Sequence, residues 1–328
     1  MELDDLNRTL KENNLTAYWM REGGRPEFKP HLWQWSKVYP TLMRAGELVP
    51  LSTMVEMRTI GFKNPSLGDK MTTVSLDYQI LMPGEKTRAH RNLKSETRFV
   101  VKSSPGAVFI VDGEAFPMEE GDLIITPNWS WHDHYNGGKE PVIWIDGLDM
   151  GLVSLGVEIN ERFKQGQQPV ERPADYSAKL WGHVRPAWID DEPPTPPFRY
   201  GWEETQALLT ALKETGGDPF DGVHLRYSHP VNGGPTLRTF SCEIQLLRPK
   251  EKTHSHRHNS TTFYHVFRGE GATVVGEERL EWAEGDIFVV PPWFWHGHEN
   301  RLDRDAILFS ISDWPAMAAL GFYREERQ

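Results

Sequence analysis

The sequence predicts an all-β protein, mainly strand, built as two homologous β-barrel or jelly-roll domains, and three observations predict it. The first is patterning: residues 74–80 alternate apolar and polar, and 99–101, 107–111 and 123–125 are short apolar runs. The second is punctuation, since Gly and Pro bound these runs and Asp112-Gly113 reads as a hairpin turn. The third is an internal repeat. His-Arg-Asn at 90–92 answers His-Arg-His at 256–258, Glu120-Gly121-Asp122 answers Glu284-Gly285-Asp286, and Trp131-His132 answers Trp295-His296. Asp149 answers Asp313 at a nearly constant offset, which implies a duplicated fold.

Residues 1–70 are read as a helical arm, because Leu3, Leu6 and Leu10 recur at helical spacing between charges. Residues 71–150 form the first strand-rich domain. Residues 151–232 are read as a linker. Its Asp190-Asp191-Glu192-Pro193-Pro194-Thr195-Pro196-Pro197 stretch is extended, because proline excludes helix interior and central strand. A short helix is expected from Glu203 to Lys213, with Leu208, Leu209 and Leu212 on one side and Gly216-Gly217 past its end. Strand signals resume at Thr239, in a second domain spanning 233–328.

Composition excludes several functions. A net charge of −11 over 328 residues disfavours nucleic acid, whose phosphates need a basic surface, and leaves an anionic ligand needing a locally positive pocket. The single cysteine, Cys242, allows no internal disulfide. The opening Glu2-Leu3-Asp4-Asp5 has neither a basic nor an apolar leader region, and no apolar run is long enough for a membrane span. A cytoplasmic protein with no membrane partner is expected.

Each half carries histidines at metal-type spacing. His256 and His258, two apart on a strand, face the same way and can reach one ion together with His296. Three imidazoles without a thiol suit Fe, Cu, Zn or Ni and leave positions open. The ordered frame around them resembles the cupin superfamily, so a double cupin is expected. The second cupin motif fits twice: Gly121, Pro127, Trp129, His132 and Asn136, then Gly285, Pro291, Trp293, His296 and Asn300. The first motif is divided. Gly84, His90, Asn92 and Glu96 serve one half, with Ser103 at the closing glycine. His256, His258 and Gly269 serve the other, with Lys250 at the first glycine and Thr262 at the glutamate.

More closely, the chain resembles the gentisate 1,2-dioxygenase family, which includes salicylate and 1-hydroxy-2-naphthoate dioxygenases. The stretches that carry the resemblance are Pro83-Gly84-Glu85, Arg98-Phe99-Val100, Trp131-His132-Asp133-His134, Asp146-Gly147-Leu148-Asp149 and Tyr264-His265-Val266-Phe267. The resemblance implies an Fe(II) dioxygenase that opens the ring of a hydroxylated aromatic carboxylate with O₂. It implies cleavage between the carbons bearing hydroxyl and carboxylate, and a homo-oligomer, dimer or tetramer.

The family's iron sits on three histidines of the first cupin, and two of those positions are His90 and His132; the middle one is Asn92. Two readings stay open. In one, Glu96 completes a triad with His90 and His132, the two-histidine, one-carboxylate pattern of non-haem Fe(II) oxygenases. In the other, the first site is empty and only His256, His258 and His296 hold an ion. Around the first site Arg98, eight positions after His90, is expected to grip the substrate carboxylate, or else to form a structural ion pair. The resemblance makes Gln79 and Asp146 substrate-binding. His134, two beyond His132, is expected to hold or deprotonate a phenol. Tyr264 stands where Arg98 stands, so the second barrel lacks the anion clamp and chemistry is expected in the first. The rival readings are a metal-dependent cupin isomerase or decarboxylase, and a non-catalytic small-molecule-binding bicupin.

Overall fold

The structure is a computed structural model; it describes every residue except 1, 16, 21–27, 53–55, 69, 157, 183 and 190–194. The Asp190 to Pro194 part of the expected linker therefore lies outside the described residues.

Each half folds as two antiparallel sheets. In the first half the six-stranded sheet runs Phe198–Tyr200, Leu123–Thr126, Glu96–Lys102, Val142–Leu148, Ser75–Leu81, Thr59–Gly61. Its five-stranded partner runs Asn160–Arg162, His90–Asn92, His132–Asn136, Ala107–Val111, Glu114–Pro117. The second half repeats this with His31–Trp33, Ile287–Val290, Thr262–Arg268, Ala306–Ser312, Ser241–Leu247, Val223–Arg226 in the larger sheet. Glu278–Ala283, Glu270–Val275, His296–Asn300, His256–His258, Glu325–Arg327 make the smaller one. The expected turn is there: Asp112 and Gly113 have φ of +46° and +77°, and Val111 pairs with Glu114 across them.

The period-two pattern explains why there are three cores. Along Glu96–Lys102, Phe99 and Val101 point away from their own barrel and meet Phe267, Phe309 and Ile311 of the other six-stranded sheet. Phe99 stacks on Phe309 with ring centres 4.1 Å apart. On the opposite face of the same strand Glu96, Arg98 and Val100 point into the barrel, where apolar side chains such as Phe109 and Phe116 fill one end. The second barrel has its own interior cluster around Val266, Trp282 and Phe288. The polar sites occupy the part of each barrel that these clusters leave.

The arm is not purely helical. Glu2–Glu12 is a helix, but Leu3 and Leu6 on it stay exposed. His31–Trp33 is a strand that pairs with Ile287–Val290 of the second barrel, while the helix Trp35–Leu48 that follows lies against Ser75–Leu81 of the first. The expected linker mirrors it. Phe198–Tyr200 pairs with Leu123–Thr126 of the first barrel, and the helix Trp202–Lys213 lies against Val223–Arg226 and Ser241–Leu247 of the second. Of its three expected packing leucines only Leu209 is buried; Leu208 and Leu212 remain exposed. Each barrel is thus finished at one edge by the segment that precedes the other barrel.

The repeat motif Glu-Gly-Asp anchors this exchange. Asp122 Oδ1 accepts the Trp202 N–H at 2.9 Å and Asp286 Oδ1 accepts the Trp35 N–H at 2.7 Å, each satisfying an open donor at a helix start. The glycine between lets the tryptophan ring lie directly on the backbone: a Cβ on Gly121 would sit 2.6 Å from Trp202 Cγ, at a φ of +91°. Gly121→Ala should therefore cost about 2–4 kcal/mol of stability through strain and overpacking. Urea unfolding measures this, and an unchanged midpoint would mean that the tryptophan moves away freely.

Candidate active site in the first barrel and its counterpart in the second

Each histidine cluster is assembled from two short polar strands of the smaller sheet. His90 faces His132 across one strand pair, with ring centres 4.3 Å apart, and His256 faces His296 across the other at the same 4.3 Å. The arginine between the motif positions turns outward. Arg91 lies over Trp129 and Trp131 at 4.5 and 4.7 Å, and Arg257 lies over Trp293 and Trp295 at the same distances. An outer strand straps each cluster: Arg91 pairs with Glu161 at 2.7 Å and Arg257 with Glu326 at 2.5 Å. Sequence reasoning missed this clamp, although an Arg between two motif histidines and two spaced tryptophans are its visible signs.

In the first barrel His90, Glu96 and His132 come together. Glu96 Oε2 lies 3.5 Å from His132 Nε2 and accepts from Arg98 Nη2 at 2.6 Å, while Glu96 Oε1 accepts from Asn92 Nδ2 at 2.9 Å. Asn92 Oδ1 accepts the Lys94 N–H at 2.9 Å, so both ends of that amide are used and Asn92 serves to orient Glu96. Burial alone would raise the Glu96 carboxyl, but the Arg98 charge and the Asn92 hydrogen bond hold it below its ordinary value.

Arg98 is fully buried and lies over the Phe109 ring at 4.2 Å. Besides Glu96 it donates to Thr126 Oγ1 through Nη1 and to His134 Nε2 through Nε at 3.0 Å, and it lies 3.5 Å from Asp146 Oδ1. His134 is sandwiched between Phe109 and Trp144, with both ring separations 4.6 Å. Burial first, then the Arg98 charge, pushes its pKa well below the ordinary value. Its Nε2 lone pair is committed to the guanidinium. In this arrangement His134 orients Arg98, and its expected part in holding or deprotonating a phenol would require that hydrogen bond to open. Gln79 Nε2 and Trp144 Nε1 both donate to Asp146, the latter at 2.8 Å. Burial lifts the Asp146 carboxyl to about 7, Arg98 opposing and Glu96 and Asp77 adding. Gln79, Arg98, His134 and Asp146 thus form one buried hydrogen-bonded frame beside the histidines. A groove of about 420 Å³ lined by Phe62, Lys63, Lys70, Asp77 and Phe263 lies at the Asp77 side of this barrel.

In the second barrel His256, His258 and His296 come together, with the remaining ring separations 5.7 and 5.0 Å. Tyr264 replaces the guanidinium and packs on Phe288 and His298, with ring centres 4.9 and 5.0 Å away. Sequence reasoning missed a second polar chain here: His224 Nε2 meets Glu243 Oε2 at 3.1 Å, and Arg226 Nε donates to Glu243 Oε1 at 2.9 Å.

The donor chemistry fits a metal in both barrels. Among the described residues no three His, Cys, Asp or Glu side chains already form a tight cage. Their lone pairs are nevertheless aimed and idle. His132 Nδ1 is held by Ser130 O at 3.0 Å and His296 Nδ1 by Phe294 O at 3.1 Å, which puts the proton on Nδ1 and bares Nε2. The Nε2 atoms of His132, His256 and His296 are buried without any hydrogen-bond partner, a costly state that a cation relieves.

Two motif-bearing barrels of this kind, each with converging histidines, define a two-barrel cupin, and residues 77–148 and 243–312 each match the cupin domain family. The chain is 41% identical to a 5-aminosalicylate 1,2-dioxygenase of Comamonas sp., over 99% of this chain and 90% of that protein. It is 35% identical to a gentisate 1,2-dioxygenase of Haloferax sp., over 98% and 95%. The solved structure of a salicylate 1,2-dioxygenase variant from Pseudoaminobacter salicylatoxidans in complex with gentisate superposes with a TM-score of 0.91 at 30% identity, covering 100% of this chain and 95% of that one. This chain belongs to the gentisate 1,2-dioxygenase family and is a ring-cleaving dioxygenase. No described helix is long and apolar enough to cross a membrane.

Proposed function

We propose that this dioxygenase is Fe(II)-dependent and opens gentisate or a substituted salicylate between the carbons bearing the carboxylate and the hydroxyl, both oxygen atoms of O₂ entering the product. 5-Aminosalicylate, 1-hydroxy-2-naphthoate and gentisate, for which these relatives are named, share a ring hydroxyl next to a carboxylate. The observation that carries the reading is the position of Arg98. Its guanidinium is buried inside the first barrel, on a carboxylate oxygen, Glu96 Oε2, whose other neighbour is the bare Nε2 of His132.

His90, Glu96 and His132 would hold iron in the first barrel, and His256, His258 and His296 an ion in the second. When bound, Fe(II) supplies the point where the substrate's oxygens meet O₂ and the path by which the electron-rich ring is oxidised. The protein does the rest. In the resting site Glu96 stands against Arg98 where a substrate carboxylate would stand. Binding then exchanges partners: Glu96 turns toward the His90–His132 pair and the substrate's carboxylate takes the guanidinium, bidentate and charge-assisted. His134 and Asp146 hold Arg98 in place during the exchange, and Gln79 and Trp144 hold Asp146. Phe109 and Trp144 sandwich His134, and Phe109 also covers Arg98, so this pair shields the clamp from water. The lysines of the adjoining groove give an acidic protein the locally positive approach that an anionic substrate needs. The same reading makes the protein a cytoplasmic homo-oligomer, in keeping with its single, buried thiol.

Apoprotein loaded anaerobically with Fe(II) and mixed with gentisate, salicylate, 5-aminosalicylate and 1-hydroxy-2-naphthoate tests the proposal. Stoichiometric O₂ uptake with loss of the ring absorbance of at least one acid is expected. Turnover of an acid without O₂ uptake would favour the isomerase or decarboxylase reading instead.

A further inference from the structure

The second barrel lacks the glutamate of its first motif, with Thr262 in that place. A different carboxylate reaches the same space. Asp221, just ahead of the strand Val223–Arg226, brings its Oδ1 to 3.6 Å from His256 Nε2. This separation is too long for a hydrogen bond, and His256 has no hydrogen-bond partner on either nitrogen. Two donor atoms sharing one tetrahedral ion, each at roughly 2.0–2.1 Å, stand roughly 3.4 Å apart. The first barrel has the same relation between Glu96 Oε2 and His132 Nε2, at 3.5 Å. His296 Nε2, fully buried and unpartnered, points into the same space as His256. His258 Nδ1 is held by Ser260 Oγ at 2.8 Å and by Ser260 O at 3.1 Å, which turns its Nε2 away from the backbone.

We propose that Asp221 is the fourth donor to an ion held by His256, His258 and His296, and that this closed set of three imidazoles and one carboxylate makes the second barrel a structural metal centre of the zinc class. The proposal rests on the reading of those three histidines as a ligand set; the new elements are Asp221 and the structural role. Four protein donors fill a tetrahedral ion and leave no position for substrate, which is how structural sites differ from catalytic ones. The surroundings agree. Tyr264 occupies the place of the anion clamp. The strand Glu325–Arg327 is hydrogen-bonded to His256–His258 and sets Glu325 Oε1 3.9 Å from His256 Nδ1, so an ion here ties the chain's last strand to the barrel. His224, held by Glu243 at 3.1 Å, faces the second Asp221 oxygen from 4.0 Å, beyond hydrogen-bond reach.

The test is a Co(II) titration of chelator-treated full-length protein, read by visible absorption and by bound metal after gel filtration. The wild type should take up two equivalents, one giving an intense tetrahedral band that gentisate leaves unchanged. Asp221→Asn should weaken that equivalent by more than about 100-fold, the ceiling for losing a partner one step outside a ligand set, and abolish its band. Asp221→Glu, which keeps the carboxylate, should retain much of the affinity and so separates donor loss from misfolding. Glu96→Gln should remove the other equivalent, the one whose spectrum shifts with gentisate. Full Co(II) affinity and an unaltered band in Asp221→Asn, with an equivalent lost in His296→Ala, would overturn the role of Asp221. A gentisate-induced shift of the Asp221-dependent band would overturn the structural role. A wild type with a single, gentisate-responsive equivalent would overturn the second centre while leaving the dioxygenase reading intact.

Discussion

Glu96→Gln should empty the first barrel of its ion and stop O₂ uptake, while the second barrel keeps its metal. Glu96 has two dependants. The bare Nε2 of His132 stands 3.5 Å from one of its oxygens, and Arg98 donates to that same oxygen at 2.6 Å. Removing the charge takes away a metal donor and leaves the fully buried guanidinium with only the more distant Asp146, 3.5 Å from its Nε. Breaking one side of such a pair costs about 3–5 kcal/mol, so the urea midpoint should fall as well. Metal analysis and unfolding together separate the two roles. A lower midpoint with iron content and turnover preserved would make Glu96 the counter-ion of Arg98 and nothing more. Asn92→His then becomes the decisive companion. It supplies a third imidazole but removes the amide that holds Glu96 Oε1, so iron should bind tightly with fewer open positions and turnover should fall. A faster Asn92→His enzyme would return the site to three-histidine chemistry.

Arg98→Ala should keep iron in place and lower kcat/KM for the aromatic acid by about 2–4 kcal/mol, or roughly 30- to 1000-fold, the scale for truncating one partner of a buried charge pair. A purely structural arginine would produce a stability loss with no preference among substrates. A carboxylate clamp predicts more. Wild type should favour gentisate over the carboxylate-free 1,4-dihydroxybenzene, and Arg98→Ala should lose most of that preference because the two molecules then meet the same wall. Arg98→Lys should recover little, since an ammonium cannot reproduce the planar fork that engages Glu96, Thr126 and His134 together. An unchanged preference in Arg98→Ala would assign the arginine to Glu96 alone.

The fold and the two histidine clusters were legible because each depends on short-range pattern. Period-two alternation sets which residues of Glu96–Lys102 face inward, and the duplicated motif sets where the histidines fall. Even the motif's gap at Lys250 has a local explanation: Lys250 adopts a φ of +59°, the left-handed turn that Gly84 makes at +79°, so the turn survives without the glycine. The placement of Arg98 was reached by a step that does not hold. His90 and Arg98 lie on strands of different sheets, so the even spacing between them fixes nothing. What fixes Arg98 is Glu96, two residues before it on the same strand and face. Two kinds of feature were not legible. Three-residue strands such as His31–Trp33 and Phe198–Tyr200 have no period of their own and become strands only because a sheet edge far along the chain accepts them. Asp221 belongs to no motif and meets the histidines through tertiary folding alone.

The crossed edge strands carry a consequence for the order in which the molecule can be made. His31 pairs with Val289, and Trp35 rests on Asp286, 251 residues later, so this strand and helix find their places only after the residues around Asp286 and Val289 have been made. The first barrel likewise waits for Phe198–Tyr200 before its last edge is covered. During synthesis Trp33 and Trp35 therefore lack their second-barrel partners Phe263 and Gly285, having only early neighbours such as Phe62, Tyr39 and Tyr78, and the loops to be closed are long. A nascent chain in this condition presents open strand edges and aromatic surface to its surroundings, the state in which chaperone capture and aggregation compete most strongly with folding.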